Sequence, residues 1–348
     1  MPEEMHHLII GRYKKAKSND TGGSSLCVFF SLVFCLLLLQ GCGVKGNEAS
    51  GTGVYFDTVV DIRVCGDDAD RLLKECFDIC RDMEKTLSAH DEESELYRLN
   101  HRSPDQQETE VSDDLKECIS KGLYYSELTD GAFDITILPL RELWDFEARE
   151  PSVPSEADIE AALKRVDYRR VHVKGNTVSF DDPDTKIDLG GIAKGYISAK
   201  LKEHLVREGC TSALINLGGN VSAVGKKPDG ESWRVGIQKP FADRGTVYDT
   251  LEIDNECVVS SGTYERYFTE NGKQYHHILD TKTGHPVETS LQQASVIGED
   301  DTLCDALSTI CVILGKEEAE NLMAKQDFDV SVLFIDEDAG GSWYGEKP

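Results

Sequence analysis

The stretch from Lys186 to Gly225 constrains this chain more than any other. KIDLGGIAKGYISAKLKEHLVREG reads as a strand, a glycine turn and a helix, and SALINLGGNVSAVG as a strand, a glycine turn and a second strand. Two apolar runs each stop at a glycine pair, Gly190-Gly191 and Gly218-Gly219. Glycines at strand ends let backbone approach a neighbour or a ligand closely. Strands and helices therefore mix within one segment.

The mixture extends along the chain. Val54, Phe56, Thr58, Val60, Ile62 and Val64 occupy alternate positions and read as one half-buried first strand. Leu72, Leu73, Cys76, Phe77, Cys80, Met83 and Leu87 repeat at helical spacing, and Leu115 to Leu128 repeats the signal after a polar loop over 101–111. Ser155 reads as the N-cap of a short helix ending near Val166, with Asp158 three residues on. Val171 to Phe180 reads as a hairpin around Gly175-Asn176. Strands are expected at Trp233–Ile237, Thr250–Ile253 and Val258–Ser260, then a hairpin turning at Asn271-Gly272. Helices over Thr302–Leu314 and Lys316–Lys325 precede a last strand, Val330–Phe334. No repeat is visible, and Glu147–Pro154 is the one plausible internal linker, so a single compact unit is expected.

Charge narrows the partners. Asp and Glu number 64 against 37 Lys and Arg, a net charge of −27 that excludes a nucleic-acid backbone binder. With 39% apolar and 29% charged residues the composition is globular.

The amino terminus carries an address. Arg12, Lys14, Lys15 and Lys17 precede the apolar run Leu26–Leu39, the order of a secretory signal. That run would rise only about 21 Å as a helix, short for a membrane span. Leu39-Gln40-Gly41-Cys42-Gly43 follows and resembles a bacterial lipobox, in which Cys42 is lipidated after cleavage before it. The expected organisation is a signal peptide over 1–41, a flexible tether over 42–53 and a domain over 54–348, anchored by lipid on the extracytoplasmic face of a membrane. Beyond Cys42, eight cysteines remain and no pair has zinc-site spacing; Cys76 and Cys80 read as small core residues.

Four places could carry chemistry. In Asp188-Leu189-Gly190-Gly191-Ile192-Ala193-Lys194-Gly195 a strand gives way to a helix start with free N–H groups, a geometry that suits phosphate, and Lys194 adds a positive charge; a glycine helix entry serving only packing is about as frequent. The spacing is neither the dinucleotide GxGxxG nor a P-loop. Asp305 and Thr309 are four apart and share a helix face, hard oxygens of the kind magnesium prefers, though such a pair is commonly a cap or plain surface. His276-His277, followed by Asp280, form the one histidine cluster outside the leader; strand alternation turns one of the two inwards, as a general base, a phosphate donor or a plain buried histidine. Gly131-Ala132-Phe133-Asp134-Ile135-Thr136 is a turn that could rest against an adenine or flavin ring, or could be a core Phe with an Asx cap.

Together these blocks resemble the FAD:protein FMN transferase (ApbE) family. In family order the chain shows Ser94-Glu95-Leu96-Tyr97-Arg98-Leu99-Asn100, GAFDIT followed by PLRELW, DLGGIAKGY, NLGGN, WRVGI, SSGTYERY, HHILDTKTGHP and CDALST. The resemblance implies an α+β fold of mixed sheets flanked by helices, part of it similar to tunnelling-type (T-fold) cores. It implies magnesium-dependent transfer of FMN from FAD onto a Thr or Ser hydroxyl of an acceptor flavoprotein subunit of a membrane redox complex, releasing AMP. An FAD pyrophosphatase and a non-catalytic flavin-binding lipoprotein are the alternatives.

By the same resemblance, Asp305, Thr309 and the backbone carbonyl of Gly191 would hold magnesium. Ala132, Phe133, Asp134, Asp188, Lys194 and Ile278 would contact FAD, and His277 would stand near the scissile phosphate. The chain departs from the family at Phe56-Asp57-Thr58, where Met-Gly-Thr is common, at His90, where Tyr is common, and at Thr281, which replaces the proline of HILDP. Phe56 and His90 would bear on the flavin or adenine.

Overall fold

A hairpin opens the fold where the alternating pattern predicted one strand. The computed structural model describes residues 48–106, 108–338 and 340–348, and residues 46–348 form one compact unit. The expected signal peptide and Cys42 lie outside the described residues. Strands β1 (Glu48–Tyr55) and β2 (Thr58–Cys65) pair antiparallel across Phe56 and Asp57, both in the left-handed region at φ 54° and 56°. That is the conformation a two-residue hairpin turn requires. A two-residue turn preserves the alternation of side chains, so the periodicity runs through the reversal without showing it. β1 begins at Glu48, so Glu48–Gly53, expected as tether, is strand instead.

Further along come α1 (Ala69–Leu87), α2 (Glu95–Asn100), β3 (Glu108–Glu110), α3 (Asp113–Leu128), α4 (Leu138–Trp144) and α5 (Glu156–Leu163). Then follow β4 (Val171–Lys174), β5 (Thr177–Phe180), α6 (Ala193–Arg207), β6 (Ala213–Leu217), β7 (Asn220–Val224), β8 (Trp233–Gln238) and β9 (Val247–Ile253). The chain closes with β10 (Cys257–Gly262), β11 (Tyr267–Glu270), β12 (Lys273–His276), β13 (Leu291–Gly298), α7 (Asp301–Gln326), β14 (Val330–Asp336) and β15 (Gly341–Tyr344). The architecture is the expected α+β one. Its main sheet has the order β1-β2-β6-β7-β10-β13-β14-β15 with every ladder antiparallel.

Alternation within the strands sends side chains to two cores. Val259, Val332 and Phe334 point into the larger one, which α1, α6 and α7 cover. Their neighbours Val258, Leu333 and Ile335 point the other way, under the β8–β9 hairpin with Trp233, Val235, Ile237, Leu251 and Ile253. A third cluster around Trp144, Ile159, Phe268 and Leu279 ties α4 and α5 to β11–β12, and the Trp144 indole donates to the Gly284 carbonyl at 2.8 Å. All eight cysteines of the described residues are buried and free, as Cys76 and Cys80 were expected to be. Among the described residues no helix is long and apolar enough to cross a membrane.

One expected strand is missing, and the substitute matters to the site. Lys186–Leu189 joins no sheet. Apolar Ile187 and Leu189 alternate with polar Lys186 and Asp188, which gives the strand-like pattern, although Asp188 is buried with its neighbours. The backbone is held instead by Asn100 at the end of α2: its Nδ2 donates to the Ile187 carbonyl at 2.8 Å and its Oδ1 accepts the Ile187 N–H at 2.7 Å. The Asp188 N–H goes to the Ile135 carbonyl at 2.7 Å. β13 escaped the sequence reading because Gln292 and Gln293 interrupt its apolar run; Gln293 is fully buried and bonded to Ser295 and Tyr264. The break at Gly315, φ 74°, divides α7 where two helices were expected.

Asn100 is therefore a test of the scaffold. Replacing Asn100 with Leu leaves a buried N–H and a buried C=O unpaired, at a cost of about 1–3 kcal/mol each. The urea midpoint of Asn100→Leu should fall accordingly, and an unchanged midpoint would show that Ile187 is held by other means.

Candidate active site

α6 and α7 meet at a buried carboxylate. Asp305, in the second turn of α7, is 2% exposed. Its Oδ2 accepts the Gly195 N–H in the first turn of α6 at 2.7 Å, and its Oδ1 accepts the Asn220 amide at 2.8 Å. The Lys194 ammonium stands 3.9 Å from Oδ1. This approach requires glycine at 195, because a Cβ there would collide with the Asp301 carbonyl and the Asp305 Cβ. The NLGGN turn delivers Asn220 by a second tight fit: Gly218 has φ 61° and a Cβ there would strike Thr58.

One turn on, Thr309 faces β10, its hydroxyl 3.1 Å from Ser261, which is also 2.7 Å from the Ser308 hydroxyl. The groups that reach the cleft here are a carboxylate and hydroxyls, all hard oxygens. Among the described residues no group of three His, Cys, Asp or Glu could hold a metal by itself. A sparse oxygen set fits magnesium, which keeps water and shares its shell with phosphate, better than it fits zinc or calcium.

Around these residues lies a cleft of about 600 Å³, the size of a cofactor site. Every site residue expected from the sequence within the described region lines it: Phe56, His90, Ala132, Phe133, Asp134, Asp188, Gly191, Lys194, His277, Ile278, Asp305 and Thr309. They come from segments as far apart as the β1–β2 turn and α7. Phe56 stands on that turn with its N–H on the Glu84 carboxylate at 2.7 Å, and His90 is exposed at the rim.

Two cleft carboxylates are committed to shaping loops. Asp188 accepts the Gly190 N–H at 2.6 Å and pairs with Arg141 of α4, whose guanidinium it drives further towards the charged form. Asp134 accepts the Thr136 N–H and hydroxyl at 2.8 and 2.7 Å and the Tyr168 N–H at 2.9 Å, an Asx-type turn. Burial raises its carboxyl above the usual range. Phe133 packs on Gly191, where a Cβ would come within 2.8 Å of the ring. The GAFDIT and DLGG turns thus form one wall.

The histidine pair divides its duties. His276, the last residue of β12, is buried with Nε2 3.1 Å from the Val287 carbonyl. His277 lines the cleft, its N–H on the Arg266 carbonyl at 3.0 Å. Burial, helped by Arg141 and Arg266, pushes the His277 imidazole down to about 3, so the ring is neutral. Its Nδ1 is buried without a partner, which leaves Nε2 as the nitrogen the cleft can reach. Asp280 takes no part in the cleft lining; it accepts the Lys282 N–H at 2.7 Å in a turn. Thr281, in the place of the family's proline, donates to the Gly131 carbonyl at 2.6 Å and joins the histidine loop to the GAFDIT turn.

Sequence reasoning missed Asn220, Arg141 and Ser261. Each lies inside a quoted block, NLGGN, PLRELW or SSGTYERY, but only the tertiary approach shows which member of the block touches the site.

Comparison with known proteins agrees with this arrangement. The profile of the ApbE family matches residues 56–334. Over 266 residues the chain is 35% identical to the FAD:protein FMN transferase of Klebsiella pneumoniae (strain 342), covering 76% of this chain and 82% of that one. Over 335 residues it is 30% identical to the FAD:protein FMN transferase of Treponema pallidum (strain Nichols), covering 89% and 92%. The solved flavin transferase ApbE from Vibrio cholerae superimposes with a TM-score of 0.77 at 26% identity, covering 86% of this chain and 97% of that one. The ApbE protein of Thermotoga maritima does so with a TM-score of 0.77 at 29% identity, covering 85% and 96%.

The neutral histidines predict a pH dependence of stability. Burial lowers both His276 and His277 in the folded chain, so the unfolded chain takes up protons first as pH falls below the ordinary value of 6.5. Their contribution is complete above 6.5 and is lost as pH drops towards the folded values, with a slope of up to about 1.4 kcal/mol per pH unit for each ring. His277→Gln should therefore lose stability less steeply than the parent between pH 6.5 and 5, as read by urea midpoints. Equal slopes would mean that folding does not lower the His277 imidazole below its ordinary value.

Proposed function

The chain belongs to the ApbE family and is a flavin transferase, and from that premise we propose that it carries FMN from FAD to a Thr or Ser hydroxyl of an acceptor flavoprotein, with magnesium, releasing AMP. The observation that carries this reading is the convergence of Asp305, Thr309, Ser261 and the Gly190-Gly191 turn on one cleft beside a neutral histidine. FAD is the substrate, and its pyrophosphate belongs between the start of α6 and His277. Asp305, Thr309 and the Gly191 carbonyl would hold magnesium, which when bound offsets the charge of the pyrophosphate and of departing AMP.

The chain's own groups do the rest. Lys194 and the first N–H groups of α6 add positive potential where phosphate oxygens gather. Asn220 and Gly195 hold the Asp305 carboxylate in one orientation before substrate arrives. The acceptor oxygen attacks the phosphorus of the FMN half, the P–O bond to AMP breaks, and the hydroxyl proton passes to Nε2 of His277. A neutral imidazole is the form able to take it, and the negative phosphates raise its affinity for the proton as the reaction proceeds.

The place of the reaction rests on the amino terminus. The basic-then-apolar order before Leu39-Gln40-Gly41-Cys42 supports lipid anchoring through Cys42 and action outside the cytoplasm, on flavoprotein subunits of membrane redox complexes.

The test uses residues 46–348, the compact unit, with FAD, magnesium and a flavin-free subunit of a membrane redox complex that carries threonine-linked FMN when mature. Intact-protein mass spectrometry should show the subunit gaining FMN as AMP is released, with both falling at least about 100-fold in Asp305→Ala. Free FMN and AMP beside an unmodified subunit would make the chain a pyrophosphatase; bound, unchanged FAD would make it a flavin-binding protein.

A further inference from the structure

The loop between β8 and β9, residues 239–246, is ordered around one side chain. Gln238 Nε2 lies 3.0, 3.4 and 3.2 Å from the carbonyls of Lys239, Ala242 and Asp243, and its Oε1 accepts the Gly245 N–H at 2.8 Å. At the loop's tip Phe241 has φ 54° and is 45% exposed. Of the eight non-glycine residues with positive φ among the described residues, six are Asp or Asn, which tolerate that region; the other two are Phe56 and Phe241. A left-handed backbone is unfavourable for phenylalanine, and burial of its own ring does not offset this at Phe241.

What the loop gains is a shelf. The Phe241 ring meets Tyr264 edge-on at 5.9 Å and Tyr267 at 5.6 Å, and Tyr267 is itself 45% exposed. Tyr264 lines the cleft and is fixed by its hydroxyl on Gln293 at 2.9 Å. Two residues further, the Arg266 carbonyl takes the His277 N–H. The shelf is thus continuous, through Tyr264 to Arg266, with the wall that bears the histidine. Lys239 and Arg244 flank it, exposed and without an ion pair among the described residues, and Arg244 also lines the cleft. In a chain of net charge −27 they place two positive charges beside the shelf, alongside Asp243 of the same loop and Glu265 next to Tyr264.

We propose that the shelf of Phe241, Tyr264 and Tyr267 is where the acceptor polypeptide docks, seating an apolar side chain close in sequence to the hydroxyl that receives FMN. This rests on the transferase reading, which requires a second, macromolecular substrate to reach the phosphorus beside His277. Rigid, pre-ordered aromatic side chains lose little entropy on binding and serve as anchors of interfaces. The shelf lies beside His277, where an extended segment must pass to place its hydroxyl.

The experiment measures transfer to the flavin-free subunit used above, with FAD affinity measured separately by fluorescence quenching. Phe241→Gly keeps the left-handed backbone at no steric cost and removes the ring; it is paired with Tyr267→Ser. Each should raise KM for the subunit about tenfold or more while leaving kcat and the Kd for FAD within about twofold, and Phe241→Leu should restore most of the loss. A KM for the subunit that stays at the parent value overturns the proposal, as does a Kd for FAD that rises in step with KM, since the shelf would then hold the flavin nucleotide. A parent chain that modifies no acceptor overturns the transferase reading and the docking surface with it; ring-removing variants that modify it as well as the parent overturn the docking surface alone.

Discussion

The carboxylate of Asp305 is the constraint from which the site follows. Both of its oxygens are engaged, one by the backbone of α6 and one by the amide of Asn220, and it is almost wholly buried. A buried charge is tolerated only when it is hydrogen-bonded or paired, and here the partners come from two segments, one of them 110 residues away. Satisfying that charge brings α6 against α7, which Gly195 permits, and brings Asn220 to both from a turn that Gly218 lets sit against Thr58 of β2. The glycines of these segments therefore serve close backbone packing around the site, and the cleft is the space left open in front of Asp305.

Charge is distributed unevenly to suit such a centre. The chain is strongly acidic, yet Arg141, Lys194, Arg244 and Arg266 all line the cleft. Two of the cleft's own carboxylates are spent on structure: Asp188 pairs with Arg141 and Asp134 closes a turn, so neither presents a free negative charge to a phosphate. His277 is kept neutral by burial and by the same arginines. Asp57, Glu147 and Glu265 also line the cleft and Glu147 pairs with Arg266, so an anionic ligand depends on Lys194, Arg244 and the N–H donors at the start of α6.

Legibility in the sequence followed the range of the interaction. Helices such as α1 and the β11–β12 hairpin at Asn271-Gly272 are set by local periodicity and turn chemistry, and they lie where the pattern put them. The site residues were legible because ordered motif blocks stand for contacts that no local rule describes. Three things were not legible. The Phe56-Asp57 reversal is invisible to a period of two. The Lys186–Leu189 segment alternates like a strand but is held by Asn100, a side chain 87 residues away. The buried Gln293 in β13 looks polar until its partners are known.

Strain completes the picture, because its position is not random. Asp and Asn carry the left-handed backbone wherever a turn alone is needed, at Asp130, Asn255, Asn271 and Asp327 among others. Phenylalanine carries it at two places, and one of the two rings lines the cleft while the other rests on a residue that does. Glycine or asparagine at either position would give the same turn at lower cost. Phe56 offsets part of that cost by packing on the larger core, whereas Phe241 is exposed and has no such compensation, so the strain at its position is the one that calls for a role at the surface. Phe56 borders the cleft directly from the hairpin that opens the main sheet, and Phe241 reaches it only through Tyr264, from the β8–β9 hairpin that covers the second core.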